Sequence, residues 1–157
     1  MKYLLSEKHE HEPVNTCPAY PHCATAVLRT VRERTGRGDE DIEQLSTVFD
    51  GGLGLSGGAC GAVTGGLIAL GFQYGYEHSK AEAFQMRDIF RTIPRKYAKA
   101  ANRLIDQFES KYGALECAGI LKHKIQGFDD YLEQRKLCQP MIEWVTETVV
   151  DSIGKTT

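Results

Sequence analysis

Cysteine is the residue type whose number and placement could carry chemistry in this chain of 157 residues, and five occur: Cys17, Cys23, Cys60, Cys117 and Cys138. Four of them lead an apolar series at helical spacing. Cys23 precedes Val27 and Val31, and Cys60 precedes Val63 and Leu67. Cys117 precedes Ile120 and Leu121, and Cys138 precedes Met141, Ile142 and Val145. Side chains three and four apart share a helix face, so these four thiols are expected to point inward from the first turn of a helix. A helix N-terminus offers unpaired N–H groups and a partial positive charge, which lowers a thiol pKa. Thiols so placed can meet at one point and ionise together. A metal or iron–sulfur site built from cysteines distant in sequence requires that arrangement. For any one of the four, ordinary core packing is the simpler account, because cysteine is commonly buried. The argument rests on four in the same role. The chain lacks Cys-x-x-Cys, and with it the zinc-ribbon, thioredoxin and covalent-haem signatures.

The surroundings of Cys60 are the second signal. Eight of the 16 glycines lie between Gly51 and Gly66. Glycines ahead of Cys60, Gly58 among them, permit a turn with positive φ and leave amides free to face a sulfur or an anion. Gly61 and Gly65 lie four apart, so one helix face is open to another helix or to a flat cofactor. Gly58, Gly61 and Gly65 are therefore candidate cofactor contacts, although tight helix packing by itself accounts for Gly65 and Gly66.

The elements that must position these residues follow from periodicity. Residues 1–20, polar and followed by Pro21, read as an irregular arm, punctuated by Pro13 and Pro18. Helices are expected over 21–35, with Gly36 as its stop, and over 39–50, with Asp39 as N-cap and Ile42, Leu45 and Phe49 as its buried stripe. The glycine-rich turn leads to an apolar, central helix at 58–74. A long pattern over 79–111 carries Phe90, Ile93, Tyr97, Ala101, Leu104 and Phe108, with Pro94 dividing or kinking it. Shorter helices are expected at 116–124 and 129–135. A last one covers 139–153, with Pro140 suited to its first turn. No alternating strand pattern is found. The fold class is all-α: a compact bundle of six or seven helices forming a single domain, 21–153.

Composition narrows the function. With 19 basic and 21 acidic side chains the net charge is −2 and the pI near 6.2. A dedicated nucleic-acid binder needs a dense basic face, so that class is excluded. No run of 18 apolar residues could span a membrane. The opening apolar run is too short for a signal peptide, and the odd cysteine count argues against a disulfide framework, so a cytoplasmic location is expected. Neither a serine–histidine–acid nor a paired-carboxylate constellation emerges. His22, beside Cys23, and His123, six residues after Cys117, are alternative ligands, although a surface histidine at a helix end is the commoner case. Gly154-Lys155-Thr156-Thr157 resembles a phosphate loop only in letters, lacking the strand and helix around it. Arg87, Arg91, Arg95, Lys99 and Arg103 recur every four residues, in a segment with eight basic and four acidic side chains between 79 and 111. A solvated helix face is the ordinary account; the functional one is a docking surface for an acidic redox partner or a homodimer contact.

The order Cys23, Cys60-Gly61-Ala62-Val63-Thr64-Gly65, Cys117, Cys138 resembles the redox-active C-GCAxxG-C-C cysteine-motif family. Cys23-Ala24-Thr25-Ala26-Val27-Leu28 and Phe49-Asp50-Gly51-Gly52-Leu53-Gly54 carry the likeness further, over about residues 20 to 150. Inside the motif this chain reads Cys, Gly, Ala, and Cys17 and His22 depart from the usual pattern. The resemblance implies a small helical protein with a redox-active group, such as an iron–sulfur cluster, on Cys23, Cys60, Cys117 and Cys138. The resemblance supplies candidate ligands and no reaction; electron transfer with an unidentified redox partner protein is the activity expected of such a group. Two other readings stay open. One is a metal-free thiol–disulfide protein with Cys60 as attacking thiolate and another cysteine resolving it. The other is a structural zinc site. Cys17 sits between Thr16 and Pro18, without a helix start, and is set aside as a ligand.

Overall fold

A computed structural model describes residues 22–75, 95–122 and 135–154. Within them the chain forms six α-helices and no strand: α1 (Cys23–Thr35), α2 (Glu40–Leu45), α3 (Gly61–Tyr74), α4 (Arg95–Tyr112), α5 (Cys117–Leu121) and α6 (Gln139–Ile153). The all-α expectation holds. No helix among these residues is long and apolar enough to cross a membrane.

Helix α3 is the hub, packing against α1, α4 and α6. Glycine makes this possible. A Cβ on Gly65 would lie 2.6 Å from the carbonyl oxygen of Ala24, and one on Gly66 would lie 2.7 Å from Val145 and 3.0 Å from Leu104. The backbone of α1 and side chains of α4 and α6 therefore reach the glycines of α3 directly. Val27 and Val31 of α1, Leu70 of α3, Leu104 and Phe108 of α4, and Val145 and Val149 of α6 fill the core, each at most 2% exposed. Phe108, Tyr112 and Trp144 join α4 to α6 through tilted and edge-on ring contacts at centroid distances of 4.7–6.1 Å. Burial of this series supplies most of the driving force, at about 1.5–3 kcal/mol for each large apolar side chain.

Helix ends obey local chemistry. Asp39 caps α2 by accepting from the amides of Asp41 and Ile42, and Gly36 closes α1 in the left-handed region at φ 67°. Gly113 follows α4 with φ 82°. Pro140 occupies the first turn of α6.

Two expected boundaries differ. The helix expected over 39–50 ends at Leu45 and tightens into a 3₁₀ turn, Ser46–Phe49. That change rotates the buried face: Leu45 and Val48 are exposed, while Glu43 and Ser46 are buried. Glu43 accepts from the Nε groups of Arg29 (3.1 Å) and Arg32 (2.6 Å), and Ser46 shares a 2.8 Å hydrogen bond with Thr25. The contact with α1 is thus polar, which an apolar stripe could not reveal. The helix expected over 116–124 is shorter as well, ending where Lys122 turns left-handed at φ 57°. The expected helix at 129–135 lies outside the described residues except for Arg135, which opens a 3₁₀ turn, Arg135–Cys138. Phe90, Ile93 and Pro94 also lie outside them, as do Cys17, His123, Arg87 and Arg91.

Candidate cysteine site

All four cysteines sit at helix starts. Cys23 and Cys117 are the first residues of α1 and α5, and Cys60 and Cys138 are the N-caps of α3 and α6. Each is buried, at 7–8% exposure.

The backbone brings them toward one another. Gly61, next to Cys60, leaves room for α1: a Cβ there would lie 3.2 Å from the Cβ of Cys23. Cys60 and Cys117 flank an antiparallel bridge between Ala59 and Glu116. The amide of Cys60 donates to Leu115 at 2.8 Å, and that of Cys117 donates to Gly58 at 2.7 Å. Residues one step from a bridged pair share the face opposite to it, so Cys60 and Cys117 lie on the same side of this short ladder. Cys138 belongs to the same apolar cluster as Cys23 and Cys60, whereas Cys117 packs with Leu55 and Leu121 in a smaller one.

The glycine-rich turn serves the ladder. Gly57, at φ 79°, and Gly52, at φ 74°, are left-handed. The amides of Gly57 and Gly58 donate to Gly51 and Gly52, both at 2.9 Å. They are therefore engaged inside the turn and not turned toward a ligand. Gly58 instead links the turn to Cys117, and Gly65 serves the approach of α1. Among the three glycines, Gly61 stands nearest to the sulfurs' backbone.

Electrostatics depart from the expectation of ionised thiols. Burial pushes the Cys60 thiol up to about 11, opposed by the amides of Val63 and Ala62 and reinforced by Cys23. Those two amides are the helix-start contribution, present but outweighed. Burial likewise pushes Cys117 up to about 12, with Cys60, Cys23 and Asp50 adding to the rise. Burial raises the Tyr112 phenol as well, again with Cys60 nearby. Tyr112 also donates its hydroxyl to the carbonyl of Pro140 at 3.1 Å, bringing the start of α6 to the end of α4.

Two residues at the site carried no role in the sequence reading. Asp50 is 4% exposed and accepts from Nδ1 of His22, the N-cap of α1. Its other oxygen, Oδ1, has no hydrogen-bond partner. Tyr112 is the second. Nothing in residue spacing separates either from an ordinary surface side chain.

Among the described residues no group of three or more cysteine, histidine or acidic side chains is drawn close enough to hold a metal ion. A groove of about 690 Å³ runs along α3, α4 and α6, lined by Arg103, Asp106, Lys111, Trp144 and Asp151, and no cysteine borders it.

The family model described as "Putative redox-active protein (C_GCAxxG_C_C)" matches residues 21–152. No curated protein and no solved structure matches the chain.

Proposed function

The chain belongs to that redox-active family, and from this premise we propose that Cys23, Cys60, Cys117 and Cys138 together hold an iron–sulfur cluster used for electron transfer. The observation that carries the reading is that four buried thiols each sit at a different helix start, with Cys60 and Cys117 on one face of the same short ladder. The donor set suits the group, since soft thiolates are the standard ligands of iron–sulfur clusters.

When bound, the cluster supplies a one-electron couple. The chain's own residues do the rest. Burial keeps Cys60 and Cys117 protonated in the metal-free chain, so a group held there would have to displace those protons. The amides of Val63 and Ala62 would stabilise the thiolate of Cys60. Val27, Val63 and Met141, clustered with Cys23, Cys60 and Cys138, keep water from these sulfurs.

Burial weakens the metal-free thiol–disulfide reading. A thiol raised to about 11 is ionised to only about one part in ten thousand at pH 7, too little for an attacking group. A reducing compartment such as the cytoplasm suits this chemistry.

Anaerobic purification of serine variants tests the proposal. Cys60→Ser should abolish iron and sulfide content, whereas Cys17→Ser should leave both at the unmodified level. Equal losses from the two would contradict the ligand set.

A further inference from the structure

The groove along α3, α4 and α6 lies apart from the cysteines, and its lining is chemically mixed. Leu70, Leu104 and Val149 give it an apolar floor, and Trp144 stands at its side. Trp144 is half-buried, and the rings of Phe108 and Tyr112 meet it tilted and edge-on. Among the described residues no ring lies flat on it, which leaves an indole face for stacking. Arg103 and Lys111 border the groove from α4, as do Asp106 from α4 and Asp151 from α6. All four are exposed, and among the described residues none of them belongs to an ion pair.

With two charges of each sign, the lining favours neither a bare anion nor a bare cation. A ligand that fits must itself be mixed. A mononucleotide is: it offers a flat ring to an indole, a phosphate to a guanidinium, and sugar hydroxyls that donate to carboxylates. The volume, about 690 Å³, is ordinary for a small-molecule site. Its two ends are distinct. Trp144 and Lys111 share one end, since both meet the ring of Tyr112. Arg103 stands about 12 Å from Lys111 along the axis of α4, at eight residues of helical rise. We propose that this groove binds a mononucleotide, its ring on Trp144, its phosphate on Arg103 and its sugar hydroxyls on Asp106 and Asp151. Lys111 donates to the ring's heteroatoms. This site stands whether or not the cysteines hold a cluster.

Flavin mononucleotide and adenosine monophosphate share this chemistry, and the test separates them. The full chain is titrated with each, with riboflavin and adenosine, and with inorganic phosphate, by isothermal calorimetry. Fluorescence of Trp144, the one tryptophan of the chain, is the second readout. At least one nucleotide should bind with a Kd below about 100 μM and quench Trp144. Its nucleoside and inorganic phosphate should each bind at least tenfold more weakly. Arg103→Gln should bring the nucleotide down to the affinity of its nucleoside, and Asp151→Asn should weaken both. Arg103 and Asp151 are exposed, so neither variant puts folding at risk. Binding of neither nucleotide up to about 1 mM overturns the proposal. A nucleoside that binds as tightly as its phosphate does the same, as does unchanged affinity in Arg103→Gln. Tighter nucleotide binding by Asp151→Asn would reveal a plain anion site and overturn it as well.

Discussion

At the scale of single residues, two effects compete over each thiol. A helix start favours the thiolate, and burial favours the thiol; at Cys60 both act, and burial wins, pushing the thiol up to about 11. This has a consequence for the metal-free protein. A thiol whose folded pKa lies above its unfolded one keeps its proton in the folded state when the unfolded chain has released it. Its contribution to stability is complete below pH 9 and is lost as the pH rises through about 11 for Cys60 and about 12 for Cys117. Denaturation midpoints of the reduced, metal-free chain should therefore decline between pH 9 and 11, and Cys60→Ala should flatten that decline. A flat profile in the unmodified chain would show that these thiols are not desolvated. In the same protein, alkylation of Cys60 by iodoacetamide should be slow at pH 7 and rise about tenfold per pH unit toward pH 11.

At the scale of elements, the geometry of the sulfurs depends on how closely α1 and α3 approach. Gly65→Ala would push a methyl into the backbone of Ala24 at 2.6–3.1 Å, and rigid backbone cannot give way as a side chain end can. A loss of about 1–3 kcal/mol is expected, together with lower cluster content, because Cys23 adjoins Ala24. Gly71→Ala is the contrast: it meets nothing within 4 Å and should gain up to about 1 kcal/mol from helix propensity. Chemical denaturation of both variants checks the pair. These elements were largely legible in the residues. The period of Cys23, Val27 and Val31, and that of Tyr97, Ala101, Leu104 and Phe108, reports burial directly, because a helix face either meets the core or does not. The helix-start placement of the four cysteines follows from the same periods. The buried face of α2 was not legible, since it is held by Glu43 with two arginines and by Ser46 with Thr25. Nor was the bridge of Ala59 with Glu116, a single pair lacking any alternating pattern. The burial of Asp50 was hidden for a related reason: its hydrogen-bond partner, His22, lies 28 residues away.

At the scale of the whole molecule, the buried cysteines and the charged groove along α4 are separate: no cysteine lines the groove that Arg103 and Lys111 border. The cysteines gather at helix starts, whereas Lys96, Lys99 and Arg103 are exposed along α4, and Arg34 of α1 pairs with Glu147 of α6 on the outside. If the proposed electron transfer holds, its partner would meet these exposed charges, which mainly speed encounter. Charge reversal at Lys99 and Arg103 should then slow electron delivery to an acidic partner at low ionic strength and have little effect at high ionic strength, as stopped-flow kinetics would show. An equal rate at low ionic strength would reduce these residues to solvated surface. The central claim is that the four thiols hold iron and sulfide. Its most direct test is iron and acid-labile sulfide analysis, with absorption spectra, of the chain purified without oxygen from iron-replete cells. The account predicts stoichiometric iron and sulfide with a broad visible band bleached by dithionite. A colourless protein, free of both and with all its thiols titrating after denaturation, would contradict it.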